Sequence, residues 1–184
     1  MKPRSVIKVL SLFTMSTLLL AAISFGKQVP TDNKQSSTSG LKEETSALYP
    51  LLGTWSCDGT FGSNGKPISS TIAFSPTLEG AWLEMHQDDR PPNVFHTHEL
   101  WGYDKIAKDF TNFAFDNFGG VRRFTSPGWS GNQLIWTGEP SAQLAQERFI
   151  FECAAGDKLV VTWQLRKGQG DWIVGDKLTC SAQK

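Results

Sequence analysis

The chain has 184 residues, 18 Lys and Arg against 18 Asp and Glu, 39% hydrophobic residues and three cysteines. That length suits one main domain, and the balanced charge offers no basic surface for nucleic acid or an anionic membrane. Neither is expected as a partner.

The N-terminus reads as an export address. Lys2, Arg4 and Lys8 precede an apolar run, Val9 to Ile23, and Ala22-Ile23-Ser24 supplies small residues for a signal peptidase. The run is about 15 residues where a membrane-spanning helix needs ~20. Residues 1–24 are therefore expected to be a signal peptide cleaved near Phe25 or Lys27, with a membrane anchor as the alternative. The mature chain is then periplasmic or secreted, carries 15 basic against 18 acidic residues and makes no stable membrane insertion. Residues 25–40 are polar and rich in Ser, Thr, Gln and Asn, the composition of a flexible linker. Residues 41–184 form the folded domain.

Leu41 to Leu51 is the one segment that reads as a helix. Leu41, Thr45, Leu48 and Leu52 recur on one face and Pro50 stops it, so it would lie across one end of the domain as a lid. Ten strands follow, at 52–61, 66–75, 80–88, 94–103, 109–116, 120–126, 132–139, 145–154, 158–166 and 171–181. Turn signals separate them: Gly62-Ser63-Asn64-Gly65, Pro91-Pro92, Asn117-Phe118-Gly119-Gly120, Ala155-Gly156-Asp157 and Lys167-Gly168-Gln169-Gly170. The ninth strand alternates cleanly, Leu159, Val161, Trp163 and Leu165 against Lys158, Thr162, Gln164 and Arg166. One face is buried and one wet, as in an antiparallel barrel or sandwich.

Strand parity places all three thiols inward. Cys57 shares its face with Trp55 and Phe61, Cys153 with Phe149 and Phe151, and Cys180 with Trp172, Val174 and Leu178. In an up-and-down barrel the first and last strands are neighbours, which favours a Cys57–Cys180 disulfide in an oxidising compartment. Cys153 is then unpaired or joined to another chain. The alternative is three small buried thiols with no bond.

A family resemblance rests on several segments. Gly53-Thr54-Trp55, after a short helix and at the start of the first strand, is similar to the Gly-x-Trp opening of calycin-type barrels such as lipocalins, fatty-acid-binding proteins and nitrobindins. Together with Leu78-Glu79-Gly80-Ala81-Trp82, Leu100-Trp101-Gly102-Tyr103-Asp104 and Phe115-Asp116-Asn117-Phe118-Gly119-Gly120, it resembles the exported bacterial domain-of-unknown-function family 1579. The resemblance implies an all-β, antiparallel up-and-down calycin-like barrel of about ten strands with a short N-terminal helix. It implies export and no established activity. Nitrobindin-like barrels hold haem through a late histidine; the last histidine here is His98, on the fourth strand, so haem is not expected.

Three residue groups are candidates for chemistry. The only histidines, His86, His96 and His98, fall on one hairpin, and with Glu84 they offer a ligand set for a divalent metal. The opposite register turns Leu83, Met85, Phe95, Thr97 and Trp101 inward and leaves the histidines as a wet polar face. Asp116, Asn117, Arg122 and Arg123 surround a glycine turn where a rim arginine can take a carboxylate or another anion; the alternative is an ordinary solvated hairpin. The aromatic residues either fill a core or line an apolar pocket, and the ligand-binding set expected is Trp55, Trp82, Trp101, Phe115, Arg122, Trp136 and Trp163. Glu139 and Glu147 flank a loop without a catalytic motif around them, and serine-nucleophile motifs and phosphate-cradling loops are absent.

Three functions follow in order. The first is an exported barrel binding a small apolar or amphipathic molecule. The second is a metal-dependent cell-envelope enzyme with His86, His96 and His98 as ligands and Glu84 as base. The third is a packed structural or interaction module with no ligand. The sequence sets no oligomeric state.

Overall fold

A computed structural model describes residues 40–139 and 145–183. The expected signal peptide and all of the expected linker except Gly40 lie outside the described residues. The strands are β1 (Gly53–Phe61), β2 (Pro67–Thr77), β3 (Trp82–Asp89), β4 (His96–Asp104), β5 (Asp109–Asp116), β6 (Val121–Ser126), β7 (Trp129–Ser130), β8 (Gln133–Gly138), β9 (Gln146–Ala154), β10 (Lys158–Arg166) and β11 (Ile173–Ala182). All except the two-residue β7 match an expected strand closely.

Every pairing is antiparallel, and consecutive strands are neighbours along β1 to β6 and β8 to β11. Two further pairings close the wall. β6 meets β8 at Phe124↔Gly138 and Thr125↔Thr137. β1 meets β11 from Trp55↔Ala182 to Phe61↔Asp176. The result is an all-β closed barrel of ten strands, with β7 a short addition to β8. At the β1–β11 seam Cys57 stands opposite Cys180, and the two form a disulfide across 123 residues of chain. Both sulfurs are fully buried, as strand parity requires. Cys153 is a free, half-buried thiol, and its burial pushes its pKa up.

The N-terminal helix is present, but it is a 3₁₀ helix, Glu43–Leu51. Its buried residues are Thr45, Leu48 and Leu51, three apart, which is the period of a three-residue turn. No side chain caps its start, and Pro50 lies inside it, so local forces for an α-helix are weak. Docking holds it instead. The Lys42 backbone N–H and the Thr45 hydroxyl both donate to the Gly80 carbonyl, at 2.9 and 2.8 Å. The indoles of Trp55 and Trp129 donate to the carbonyls of Leu51 and Ala47, at 2.8 and 2.7 Å. The helix thus covers the barrel end that carries the β2–β3 turn.

Beneath that lid the interior is solid. The ring of Trp101, fully buried, lies 5.2 Å from Phe74, 4.9 Å from Trp136 and 5.0 Å from Phe151, each edge to face. Offset and edge contacts of this kind add to area burial. Leu83, Leu134 and Leu159 complete the packing around them.

One stretch of expected parity fails. β10 and β11 lose register between Trp163 and Gln164, where Trp163 faces Asp176 but Gln164 faces Val174. Gly175 is the extra residue of a bulge, and a Cβ there would stand 2.3 Å from the Trp163 ring. The bulge turns Val174 out to solvent, 40% exposed, and places Trp172 under the guanidiniums of Arg148 and Arg166. Neither residue lines the interior with Cys180.

Candidate functional site

The end of the barrel away from the helix is hollow. A cavity of about 420 Å³ opens beside the β3–β4 and β5–β6 loops. Strand alternation supplies its walls: Ile68 from β2, Gln87 and Asp89 from β3, Val161 and Trp163 from β10, Asp176 and Leu178 from β11. Phe61, Phe95, Phe118 and Phe149 add four aromatic rings. A narrow recess of about 20 Å³ continues inward from the same wall, bounded below by Glu99, Asn112 and Trp136. The lumen is therefore neither packed throughout nor a pore. Its volume falls in the range of ordinary small-molecule sites, ~300–1,000 Å³.

Polar groups are few and placed at the wall. Arg122 extends inward from β6, and its two terminal nitrogens are taken: one donates to Asp116 Oδ2 at 2.7 Å, the other to Glu147 Oε2 at 3.2 Å. Its Nε, like the Trp163 indole N–H, is buried without a hydrogen-bond partner among the described residues. Glu99, at the floor, accepts from the Trp101 indole at 2.8 Å and from Asn112 Nδ2 at 2.6 Å, both on Oε2. Burial raises its pKa, against those two hydrogen bonds and the charge of Arg122. Asp89 accepts from the Ser70 hydroxyl and from Gln87 Nε2, both on Oδ1. Asp176 is pushed up to about 7 by desolvation and by the neighbouring Asp89, while the Trp163 backbone N–H works the other way.

Of the expected ligand-binding set, Arg122 and Trp163 border this cavity and Trp136 borders the recess. Trp55 and Trp101 lie in the solid half, under and beside the helix-covered end. Trp82 and Phe115 are corrected as lumen residues: both stand on the outer face. The reason is pairing. Trp82 sits over Gly102, its partner on β4, and Phe115 alternates with the inward Ala114 and Asp116. Phe61 is inward, as strand parity requires, while Phe118, Asp89 and Asp176 are wall residues outside the expected set. Parity held the signal for the two carboxylates, since Asp89 follows Leu83 and Met85 at even spacing and Asp176 precedes Leu178 and Cys180.

The rim arginines form ion pairs. Arg123 faces outward and donates to Glu139 Oε1 at 2.7 Å, with its guanidinium 5.8 Å from the Phe113 ring centre. Glu139 and Glu147 each bind an arginine instead of pairing with one another. Asn117 serves the chain: its amide donates to the Val94 carbonyl, and its Oδ1 accepts from the His96 N–H.

The histidines take the outward register, because Leu83, Met85, Thr97 and Trp101 fill the interior. His86 stands directly opposite His98, with the rings stacked 4.2 Å apart. Glu84 Oε1 lies 3.1 Å from His86 Nε2 and 2.7 Å from His98 Nε2. His96 is not part of this group; its Nδ1 lies 2.8 Å from Asp88 Oδ1. The three histidines are therefore not brought together, while Glu84, His86 and His98 are.

No family model matches the chain, and no curated protein does. Among solved structures it is similar to Rv2717c from M. tuberculosis, with a TM-score of 0.57 and 14% identity, over 78% of this chain and 99% of that one. At that identity the likeness is one of fold. Among the described residues, no helix is long and apolar enough to cross a membrane.

Proposed function

We propose that this chain is an exported, calycin-like barrel that binds a small apolar or amphipathic molecule in its open end. The cavity of about 420 Å³ carries the reading. It is bordered by aromatic and aliphatic side chains with a few convergent polar groups, the usual makeup of a small-molecule site. Two buried donors on its wall, Arg122 Nε and Trp163 Nε1, have no partner among the described residues, and buried donors are rarely left so without a reason. The disulfide and the signal-like residues 1–24 favour an oxidising compartment outside the cytoplasm.

The test is titration with a neutral apolar fluorophore, N-phenyl-1-naphthylamine, alongside native mass spectrometry of the purified protein. Saturable binding is expected, and Val161→Trp, which fills the cavity, should remove it. A wild-type protein that binds no such probe and carries no small molecule would sink the reading.

A second reading is a divalent-metal site on the outer wall, favoured by the convergence of both imidazole Nε2 atoms on one Glu84 oxygen. Two nitrogens and a carboxylate suit zinc and leave positions open. Calorimetric titration of untagged protein with Zn²⁺ tests it: one equivalent should bind, and His98→Ala should abolish it while His96→Ala leaves it intact. Absence of stoichiometric binding to the wild type ends this reading.

A further inference from the structure

We propose that the ligand of the open cavity is an organic cation, a small apolar molecule bearing a protonated or quaternary amine, held by the carboxylates of Asp89 and Asp176 and by the surrounding aromatic rings. This rests on the cavity reading above and adds the chemical class of the ligand.

The charge facing the lumen is one-sided. Asp89 of β3, Glu99 of β4 and Asp176 of β11 border the cavity or its recess, Asp116 of β5 and Glu147 of β9 share the inward parity and bind Arg122, and among the described residues that border these spaces Arg122 of β6 is the single cation. Arg122 is already committed to Asp116 and Glu147. Glu99 lies at the floor under two donors and is shifted toward its neutral form. That leaves Asp89 and Asp176 at the level of the large cavity. Among the described residues neither forms an ion pair with Lys, Arg or His. Asp89 directs both of its hydrogen bonds to Oδ1, from neutral donors, and so keeps Oδ2 for an incoming group.

The walls agree with the charge. Rings of Phe61, Phe95, Phe118, Phe149 and Trp163 border the cavity. Aromatic faces attract a cation through their quadrupole, and more strongly where water is excluded. A carboxylate ligand would meet Asp89 and Asp176 with like charge, and the one guanidinium nearby has only Nε to offer. Arg122 Nε and Trp163 Nε1, without partners among the described residues, suit an ether, hydroxyl or carbonyl oxygen elsewhere on the same molecule. Bringing in a cation would also favour the ionised form of Asp176, whose pKa is raised by burial and by the neighbouring Asp89, so affinity should rise with pH up to about 8.

Three amphiphiles with one tail test the head group: octyltrimethylammonium, octanol and octanoate, titrated below their micellar concentrations by calorimetry and tryptophan fluorescence. The cation is expected to bind at least tenfold more tightly than either of the others. Asp176→Asn should lower that preference, and Asp89→Asn with Asp176→Asn should erase it, read as the ratio of cation to octanol affinity within each variant. If Asp89→Asn fails to fold, Asp176→Asn alone carries the test. Octanol binding as tightly as the cation, or octanoate binding best, overturns the inference and leaves the cavity reading standing. If none of the three binds, nor the neutral fluorophore, both fall together.

Discussion

Asp176 gives the protein a stability that should fall as pH rises. Its carboxyl is pushed up to about 7 in the folded state, against an ordinary 3.8. Below 3.8 the group is neutral in both states and contributes nothing. Between 3.8 and about 7 the unfolded chain releases the proton and the folded chain keeps it, so the fold weakens with rising pH; above about 7 the penalty is complete. At 1.36 kcal/mol per pH unit the penalty at pH 8 is roughly 4 kcal/mol, of which about 2.5 kcal/mol develops between pH 5 and 8. Asp176→Asn keeps the side-chain shape and an acceptor for the Trp163 N–H but removes the titration. The stability of the variant minus that of the wild type should therefore rise by about 2.5 kcal/mol across pH 5 to 8. Urea unfolding of both proteins with the disulfide intact, followed by tryptophan fluorescence at four pH values, measures it. Taking the difference cancels Glu99, whose raised pKa acts in the same direction in both proteins. A difference that does not change with pH, or a variant that loses ground as pH rises, refutes the reasoning.

Reducing the Cys57–Cys180 bond, or replacing both residues with Ser, should cost about 4–5 kcal/mol, because the bridge closes a loop of 123 residues; urea midpoints with and without reductant read this directly. Gly59→Ala should disrupt the β1–β11 seam, since the new Cβ would lie 1.9 Å from the Lys177 carbonyl oxygen, and a drop in melting temperature far larger than that of Gly65→Ala is expected. Glu99→Ala should lose ~2–4 kcal/mol by leaving the Trp101 and Asn112 donors unpaired around a void, while Glu99→Gln, which still accepts from both, should lose much less in the same unfolding assay.

The barrel was legible because its signals are local and repeated. Leu159, Val161 and Trp163 alternate with polar residues, and loops such as Gly62-Ser63-Asn64-Gly65 and Ala155-Gly156-Asp157 mark the hairpins, so strand limits follow from short windows of chain. The Cys57–Cys180 bond followed from parity plus the adjacency of first and last strands. Three things depended on partners that no short window contains. The inserted Gly175 takes Val174 out of the inward parity, and the Trp163 ring lying against that backbone leaves no room for a Cβ there. The histidine register was decided by bulk: Leu83, Met85 and Trp101 fill the interior better than His86 and His98. The cavity's carboxylates are hidden because an aspartate in a strand reads as solvent-facing, and Asp89 on β3 and Asp176 on β11 come to border one cavity only through the curvature of the wall that β2 and β1 form between them. Tryptophan, in turn, is a poor guide to the lumen, since Trp101 and Trp136 are fully buried while Trp82 covers Gly102 outside.

The seam between β1 and β11 also sets the order of events during synthesis. The wall cannot become a cylinder until residues 173–182 arrive, because they alone bridge β1 and β10. A growing chain that stops short of them presents two raw sheet margins, each able to recruit a strand from another molecule. Rapid closure is opposed by the entropy of bringing together segments so far apart along the chain, which places this protein among the slow folders. Removal of the last strand should therefore yield aggregates rather than a smaller, loosened barrel.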